Sequence, residues 1–333
     1  MIPRFALASW RHDHPWRDDR QVEQDMLLSR LAIEIARNPS LADRLVWRGG
    51  TCLHKIHLPA PRRYSEDLDY VLVASPGPTG WLVDDLREAI GAAGMSLDNR
   101  EITGRSVKAW ASTGAASGGR IGIKVEVNTS DAEPLMPLER RPHDIEIPRW
   151  WSGGAELLTF QTPELVGTKF RALAHRSKGR DLWDLWLARR ELGIADRDLA
   201  RCAHYYLAHE DIGASVFRAR LAAHLDSPGF VDDLDLLVVA HPDLYEVQVV
   251  GLDLISWTDQ HLDPLFDAGR SAGAVARQRR EWADAGSFEG AQRCPVHERN
   301  KDGGYTRCSI WYVAGEGCPA HRASTPLVAR AGP

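Results

Sequence analysis

An α/β fold is predicted, with a mixed sheet in the first half of the chain and helices in the second, and three observations predict it. The segments DLDYVLV (67–73) and IGIKVEVN (121–128) carry apolar runs and period-two alternation, which are strand patterns. The apolar run 45–47 ends in Arg48-Gly49-Gly50-Thr51, a strand that breaks at a glycine turn and leads into a helix start. Beyond Thr162-Pro163, an N-cap and N1 pair, apolar residues recur at helical spacing.

Taken in order, 21–37 is predicted as an amphipathic helix, because Met26, Leu27, Leu31 and Ile35 fall on one face, and Asn38-Pro39 stops it. The strand at 45–47 and its glycine turn lead into a helix over 52–58. A strand over 67–73 is followed by a Pro/Gly turn at 75–80 and a helix over 81–93. Two further strands are expected at 99–110 and 120–128, joined by a hairpin loop of small residues at 112–119. Helices follow over 162–175 and 180–192, and 195–261 is helical, with Leu207, Phe217, Leu221 and Leu225 as core positions. Residues 267–290, poor in large apolar groups, read as a linker or exposed helix. The expected division is a catalytic core over 1–150, a helical domain over 151–266 that completes the active site, the linker, and a small Cys/His module over 291–333.

Composition narrows the function. With 333 residues, 44% hydrophobic and 26% charged, the chain has material for a substantial core. Its apolar runs fall far short of the ~20 residues that span a bilayer, and its first residues lack the apolar stretch of a secretory signal, so a cytoplasmic location without membrane contact is expected. A net charge of −5 means that any contact with phosphate rests on local clusters. Two stand out: Arg171, Arg176, Lys178 and Arg180, and Arg270, Arg277, Arg279 and Arg280.

The chemistry is concentrated in RRYSEDLDY, residues 62–70. Asp67 and Asp69 project from one face of their strand, ~7 Å apart along it. Two carboxylates so placed repel one another unless a cation joins them. In IGIKVEVN the isoleucines and valines form one face, and Lys124, Glu126 and Asn128 the other. If the two strands pair, Glu126 becomes the third ligand of an all-oxygen site for Mg²⁺. Three carboxylates holding Mg²⁺ suit phosphoryl or nucleotidyl transfer. Gly49, Gly50 and Thr51 would cradle a triphosphate through backbone N–H groups, a hydroxyl and the helix start. Lys169, at the edge of a buried helix face, is a candidate for the same triphosphate. Asp181 and Asp184, three apart on the next helix, are placed to orient Lys169 or nearby arginines. Two alternatives use the same features: a metal-dependent phosphodiesterase or nuclease, and a non-catalytic interaction protein.

The motifs WRGGTCLHKIHL, RYSEDLDYVLV, IKVEVN and ELVGTKFRALAHRSKGRDLWDLW, in this order, resemble those of the AbiEii/AbiGii nucleotidyltransferase toxins, which include the mycobacterial MenT toxins. The resemblance covers roughly residues 10–260. It implies a DNA polymerase β-like nucleotidyltransferase core with a helical C-terminal part. It also implies a toxin that moves a nucleotide from an NTP to an acceptor such as a tRNA 3′ end, opposed by a cognate antitoxin. By the same resemblance, Gly50 and Thr51 form the phosphate turn, and Ser65 and Asp67 the Ser-x-Asp motif, with Ser65 close to the transferring phosphate. Asp69 is the second metal acid, Lys169 the lysine of the third block, and Asp181 and Asp184 belong to the last block.

Residues 294–321 stand outside that resemblance. Two Cys-Pro-x-His pairs, Cys294/His297 and Cys318/His321, offer four ligands for a tetrahedral Zn²⁺, with Cys308 as an alternative. So short a segment has little core, and the metal would supply its folding energy. Elemental analysis of the purified chain is expected to find about one zinc per molecule, lost on Cys318→Ser; a fully folded, zinc-free protein rules the module out.

Overall fold

The computed structural model describes residues 2–73, 80–116, 118–131, 133–238 and 245–267, and the backbone of four short strands between 291 and 313. Helices α1 (Arg4–Asp13) and α2 (Asp19–Arg37) come first. Then follow β1 (Leu45–Arg48), α3 (Gly49–Cys52), which runs on into a π-turn at Leu53–His57, β2 (Asp67–Leu72) and α4 (Gly80–Ala92). Strands β3 (Ser96–Ile102), β4 (Ser106–Gly114), β5 (Arg120–Asn128), β6 (Glu139–Ile147) and β7 (Trp151–Thr159) complete a seven-stranded sheet in the order β3-β4-β5-β2-β1-β7-β6. The pairs β2/β5 and β1/β7 are parallel and the others antiparallel, so the sheet is mixed as predicted.

One face of the sheet is closed by α2, whose N-terminus is capped by the Asp18 carboxylate accepting the Gln21 N–H at 2.8 Å. Leu68, Tyr70, Val125 and Val127 are buried, while Asp67, Asp69, Lys124 and Glu126, at the alternate positions, stay partly open on the opposite face. Across that face lies α5 (Thr162–His175), followed by α6 (Gly179–Glu191), α7 (Asp196–Ala208), α8 (Ala214–Leu225), α9 (Pro228–Val231), α10 (Val247–His261) and α11 (Asp263–Asp267). Leu207, Phe217, Leu221 and Leu225 are buried, as expected. Among the described residues no helix is long and apolar enough to cross a membrane.

Several elements differ from the sequence reading. The strand expected at 99–110 is two strands: the chain turns at 103–105, where the Thr103 N–H donates to the Ser106 carbonyl at 2.8 Å, and Gly104 was the overlooked turn signal. The helix expected over 52–58 starts earlier, at Gly49, and widens into the π-turn. The hairpin β6/β7 was not anticipated. Pro142 and the charges of ERRPHDIEI mask a strand that tolerates proline because it lies at the sheet edge. The boundary expected at 150 therefore falls between two paired strands of one sheet. Most of the linker expected at 267–290, the basic residues from Arg270 to Arg280, and Cys294, Cys308, Cys318 and His321 lie outside the described residues. Of His297 only the backbone is described, in the strand His297–Arg299 paired with Tyr305–Arg307.

The helical layer is closely packed at Gly167 of α5, where an added Cβ would lie 2.5 Å from the Cys202 Cβ of α7. Gly91 in α4 has open space at the same position. Gly167→Ala should therefore cost about 1–3 kcal/mol, whereas Gly91→Ala should gain about 0.4–1 kcal/mol, both read from urea unfolding midpoints; equal effects would contradict this packing.

Candidate active site

The site is built outward from the glycine turn. β1 pairs with β2 so that Arg48 lies opposite Asp69, and the chain then turns at Gly49 with φ +82°. Two constraints fix glycine there: the left-handed backbone, and the Asp69 Oδ2, which would stand 2.6 Å from any Cβ. At Gly50 a Cβ would collide with the Arg63 guanidinium. The turn is thus bare backbone pressed between an acid and a base. Thr51 lies beneath it. Its hydroxyl donates to the Asp67 carbonyl at 2.6 Å and shares a hydrogen bond with Ser65 Oγ at 2.7 Å. The hydroxyl expected on the triphosphate is instead buried, tying the turn to the start of β2.

The parallel register of β2 and β5 sets Asp69 beside Glu126 and Asp67 beside Lys124. Lys124 Nζ lies 3.1 Å from Asp67 Oδ2 and 3.2 Å from Glu126 Oε2, and its pKa is raised: the two acids outweigh its partial desolvation. Asp69 is set deeper. Burial, then the Asp67 and Glu126 charges, push its carboxyl up against the opposing pull of Arg48 and Lys124. Oxygen donors on one face, with an acid that resists ionising alone, suit a hard cation. Among the described residues no three of His, Cys, Asp and Glu gather closely enough to enclose a metal by themselves. An ion held by Asp67 and Asp69 would complete its shell with water and phosphate, as Mg²⁺ commonly does.

Opposite these acids is a buried ionic network. Asp181 and Asp184 of α6 are both fully buried. Asp184 accepts from Arg63 Nε at 2.8 Å and Nη2 at 2.7 Å, and lies 2.7 Å from Lys169 Nζ. Asp181 accepts from Arg176 Nε at 2.7 Å and Nη2 at 2.9 Å, with Lys169 Nζ at 3.4 Å. His54 completes the Asp184 shell at 2.9 Å. The Arg62 N–H donates to His54 Nδ1 at 3.2 Å, so Nε2 carries the ring proton and donates to Asp184. Burial holds this imidazole neutral, its pKa lowered to about 4 despite Asp184. Burial alone would raise the Asp184 carboxyl, but Arg63 and Lys169 hold it well below the usual carboxylate range.

A cavity of about 330 Å³ opens between the sheet and α5, lined by Arg48, Gly49, Asp67, Asp69, Lys124 and Glu126 on one side and Thr168, Lys169, Arg171, Ala172, His175 and Arg176 on the other. A smaller hollow adjoins it, where Gly50, Ser65, Arg63 and Arg180 gather around the same Asp67, Asp69, Lys169 and Arg176. Asp131 clamps Arg48 and Arg171 together on the rim. Arg171 also stacks over Tyr206, whose hydroxyl donates to the buried Glu164 at 2.7 Å. Glu164 in turn accepts the N–H groups of Leu135 and Met136 at 2.6 and 2.8 Å, which fixes α5 against the loop after β5.

The structure brings Gly49, Gly50, Ser65, Asp67, Asp69, Glu126 and Lys169 to one place, with Asp181 and Asp184 behind Lys169. Sequence reasoning missed Arg63, His54, Asp131 and the engagement of Lys124. Arg63 had a signal: it precedes Ser65, Asp67 and Asp69 at period two. Lys124 shares a strand face with Glu126. His54 lies within the WRGGTCLHKIHL motif, but nothing in that stretch shows its partner Asp184, and Asp131 sits in a segment with no distinguishing pattern.

Comparison with known proteins gives the class as nucleotidyltransferase. A profile of the family described as nucleotidyl transferase AbiEii toxin, type IV TA system, matches residues 34–268, a span that contains every residue lining the two hollows. The chain belongs to the AbiEii family of nucleotidyltransferase toxins. Among solved structures, MenT4, a nucleotidyltransferase toxin from Mycobacterium tuberculosis H37Rv, aligns over 86% of this chain and 98% of its own, at 20% identity and a TM-score of 0.62, a likeness of fold. A putative nucleotidyltransferase from H. pylori aligns over 75% of this chain and 98% of its own at 16% identity, with a TM-score of 0.40. The CD-NTase CdnG of Bradyrhizobium diazoefficiens, solved with GTP, aligns over 78% and 99% at 12% identity, with a TM-score of 0.20. These last two are too distant in shape to carry an argument. No curated protein matches.

The buried network makes a prediction for acid stability. Because the folded Asp184 carboxyl has a lowered pKa, the unfolded chain binds more protons and stability rises with pH. The contribution is complete above the ordinary aspartate value of about 3.9 and is lost as pH falls toward the folded one. Asp184→Asn should lose about 3–5 kcal/mol near neutrality and show a flatter stability profile than the wild type between about pH 2 and 4, both measured by urea unfolding; an unchanged acid limb would refute the assignment.

Proposed function

We propose that this toxin is a Mg²⁺-dependent nucleotidyltransferase that moves a nucleotide from an NTP onto an RNA acceptor, such as a tRNA 3′ end, and is held in check by a cognate antitoxin. The observation that carries the reading is the convergence of Asp67 and Asp69, the Gly49-Gly50 turn and Lys169 on one cleft. In this reading Asp67 and Asp69 hold the metal, with Glu126 at the edge of the site. When bound, Mg²⁺ supplies charge neutralisation for the transferring phosphate and its leaving pyrophosphate.

The chain's own residues bind and orient the reactants. Gly49 and Gly50 let the triphosphate approach the backbone closely, since any side chain would collide with Asp69 or Arg63. Ser65, partly open beside the turn, contacts the phosphate chain, and Thr51 positions Ser65 from below. Lys169 and Arg176 face the phosphates with their charge fixed by Asp181 and Asp184, so little reorganisation accompanies transfer. Arg171, Arg176 and Arg180 line the hollows of a chain of net charge −5, which suits a polyanionic acceptor brought to the cleft mouth, with Lys178 next in sequence but paired to Asp233. The antitoxin follows from the toxin family.

The direct experiment incubates the protein with each labelled NTP, Mg²⁺ and total cellular RNA and asks which molecule becomes labelled. A discrete RNA species is expected to take up label. Asp69→Ala should reduce uptake by more than the ~10–100-fold that loss of a neighbour of a metal ligand costs, with the thermal unfolding midpoint retained. Cleavage of RNA without incorporation would instead identify a phosphodiesterase.

A further inference from the structure

We infer that Lys124 is a built-in counter-ion that competes with the divalent metal for Asp67 and Glu126, so that metal loads fully only when the phosphates of a nucleotide draw this ammonium away. The inference rests on the reading of Asp67 and Asp69 as metal acids. Register sets up the competition: in the parallel β2/β5 pair, Lys124 is the partner of Asp67 and Glu126 that of Asp69, which delivers one cation and three carboxylates to a single patch of sheet. The ammonium takes one oxygen from each of two acids, Asp67 Oδ2 at 3.1 Å and Glu126 Oε2 at 3.2 Å. Two neighbouring cations of the sheet face have other partners: Arg48 is committed to Asp131 on the rim, and Lys108, opposite Glu126 on β4, lies 3.8 Å from Glu101.

A divalent ion would draw on the same carboxylates, and like charges a few ångströms apart repel one another. Lys124 has somewhere to go. It is about 29% exposed on a four-carbon stem and lines the main cavity, where nucleotide phosphates would offer it other anions. The buried Lys169, held between Asp181 and Asp184, lacks that freedom. The two lysines thus divide the work: one is fixed and the other is displaced. A free toxin so arranged keeps its acids paired and its cleft charge balanced until an NTP arrives.

The test measures Mn²⁺ binding without nucleotide, by electron paramagnetic resonance. Lys124→Met is expected to bind Mn²⁺ about tenfold tighter than the wild type. Lys124→Arg, which restores the charge, should bind no tighter than the wild type, and adding Asp69→Asn to Lys124→Met should cancel the gain. Unchanged or weaker binding in a folded Lys124→Met overturns the proposal and leaves Lys124 as a strut. On the unmodified chain, acetylation followed by mass spectrometry should show Lys124 modified faster with saturating Mn²⁺ than without it; equal rates also overturn it. If the wild type labels RNA yet these metal readouts stay flat, the competition alone has failed. If no RNA is labelled while the acids still bind Mn²⁺, it is the proposed activity that has failed.

Discussion

Everything at this site depends on two fully buried aspartates, Asp181 and Asp184, one helical turn apart on α6. Between them they hold Arg63 from the approach to β2, Lys169 from α5, and Arg176 from the end of α5. Burying charges is unfavourable unless each finds partners; Lys169 and Arg176 come from α5 and its end, and Arg63 reaches Asp184 only when the approach to β2 is docked against α6. The interaction sets where the helical layer stands over the sheet. It also leaves one more positive than negative charge facing the hollows, which prepares the cleft for an anion.

The acids of the sheet present the opposite balance. Asp67, Asp69 and Glu126 share one face with Lys124, and Asp69 is pushed toward its neutral form by burial and by its neighbours. An excess of negative charge on one wall and of positive charge on the other, about a bare glycine turn, is an arrangement in which a metal–triphosphate complex can be neutralised on both sides. Thr51 belongs to this architecture as a strut: by fastening the Asp67 carbonyl and the Ser65 hydroxyl, it fixes the distance between the turn and the acids.

Much of this was legible. Period-two alternation put Asp67 with Asp69 and isolated Glu126 on a polar strand face, and the Gly49-Gly50 turn gained its meaning from its place between an apolar strand and the acidic pair that begins sixteen residues after Thr51. Lys169 and the aspartate pair could be assigned to helices from spacing alone. What could not be read were the partners. Thr51 looked like a phosphate donor, because sequence does not show that its hydroxyl is already spent on Asp67 and Ser65. Arg63 keeps the period of Ser65, Asp67 and Asp69, but its partner Asp184 stands 121 residues away, and the edge hairpin β6/β7 was hidden by proline and charge that an edge position tolerates.

The sequence by itself determined local character: which stretches alternate, where the chain must turn, which acids share a face and which family's motifs they spell. These properties follow from the periods of strand and helix and from the conformational freedom of glycine, all of them short in range. Only the tertiary structure decided which charges meet. The register of β2 on β5 chose Lys124 as the partner of Asp67, and the docking of α6 chose Arg63 and Lys169 for Asp184. Such choices join residues more than a hundred positions apart in the case of Arg63 and Asp184. They are settled by the need of each buried charge for an opposite one, a condition that no single segment can express.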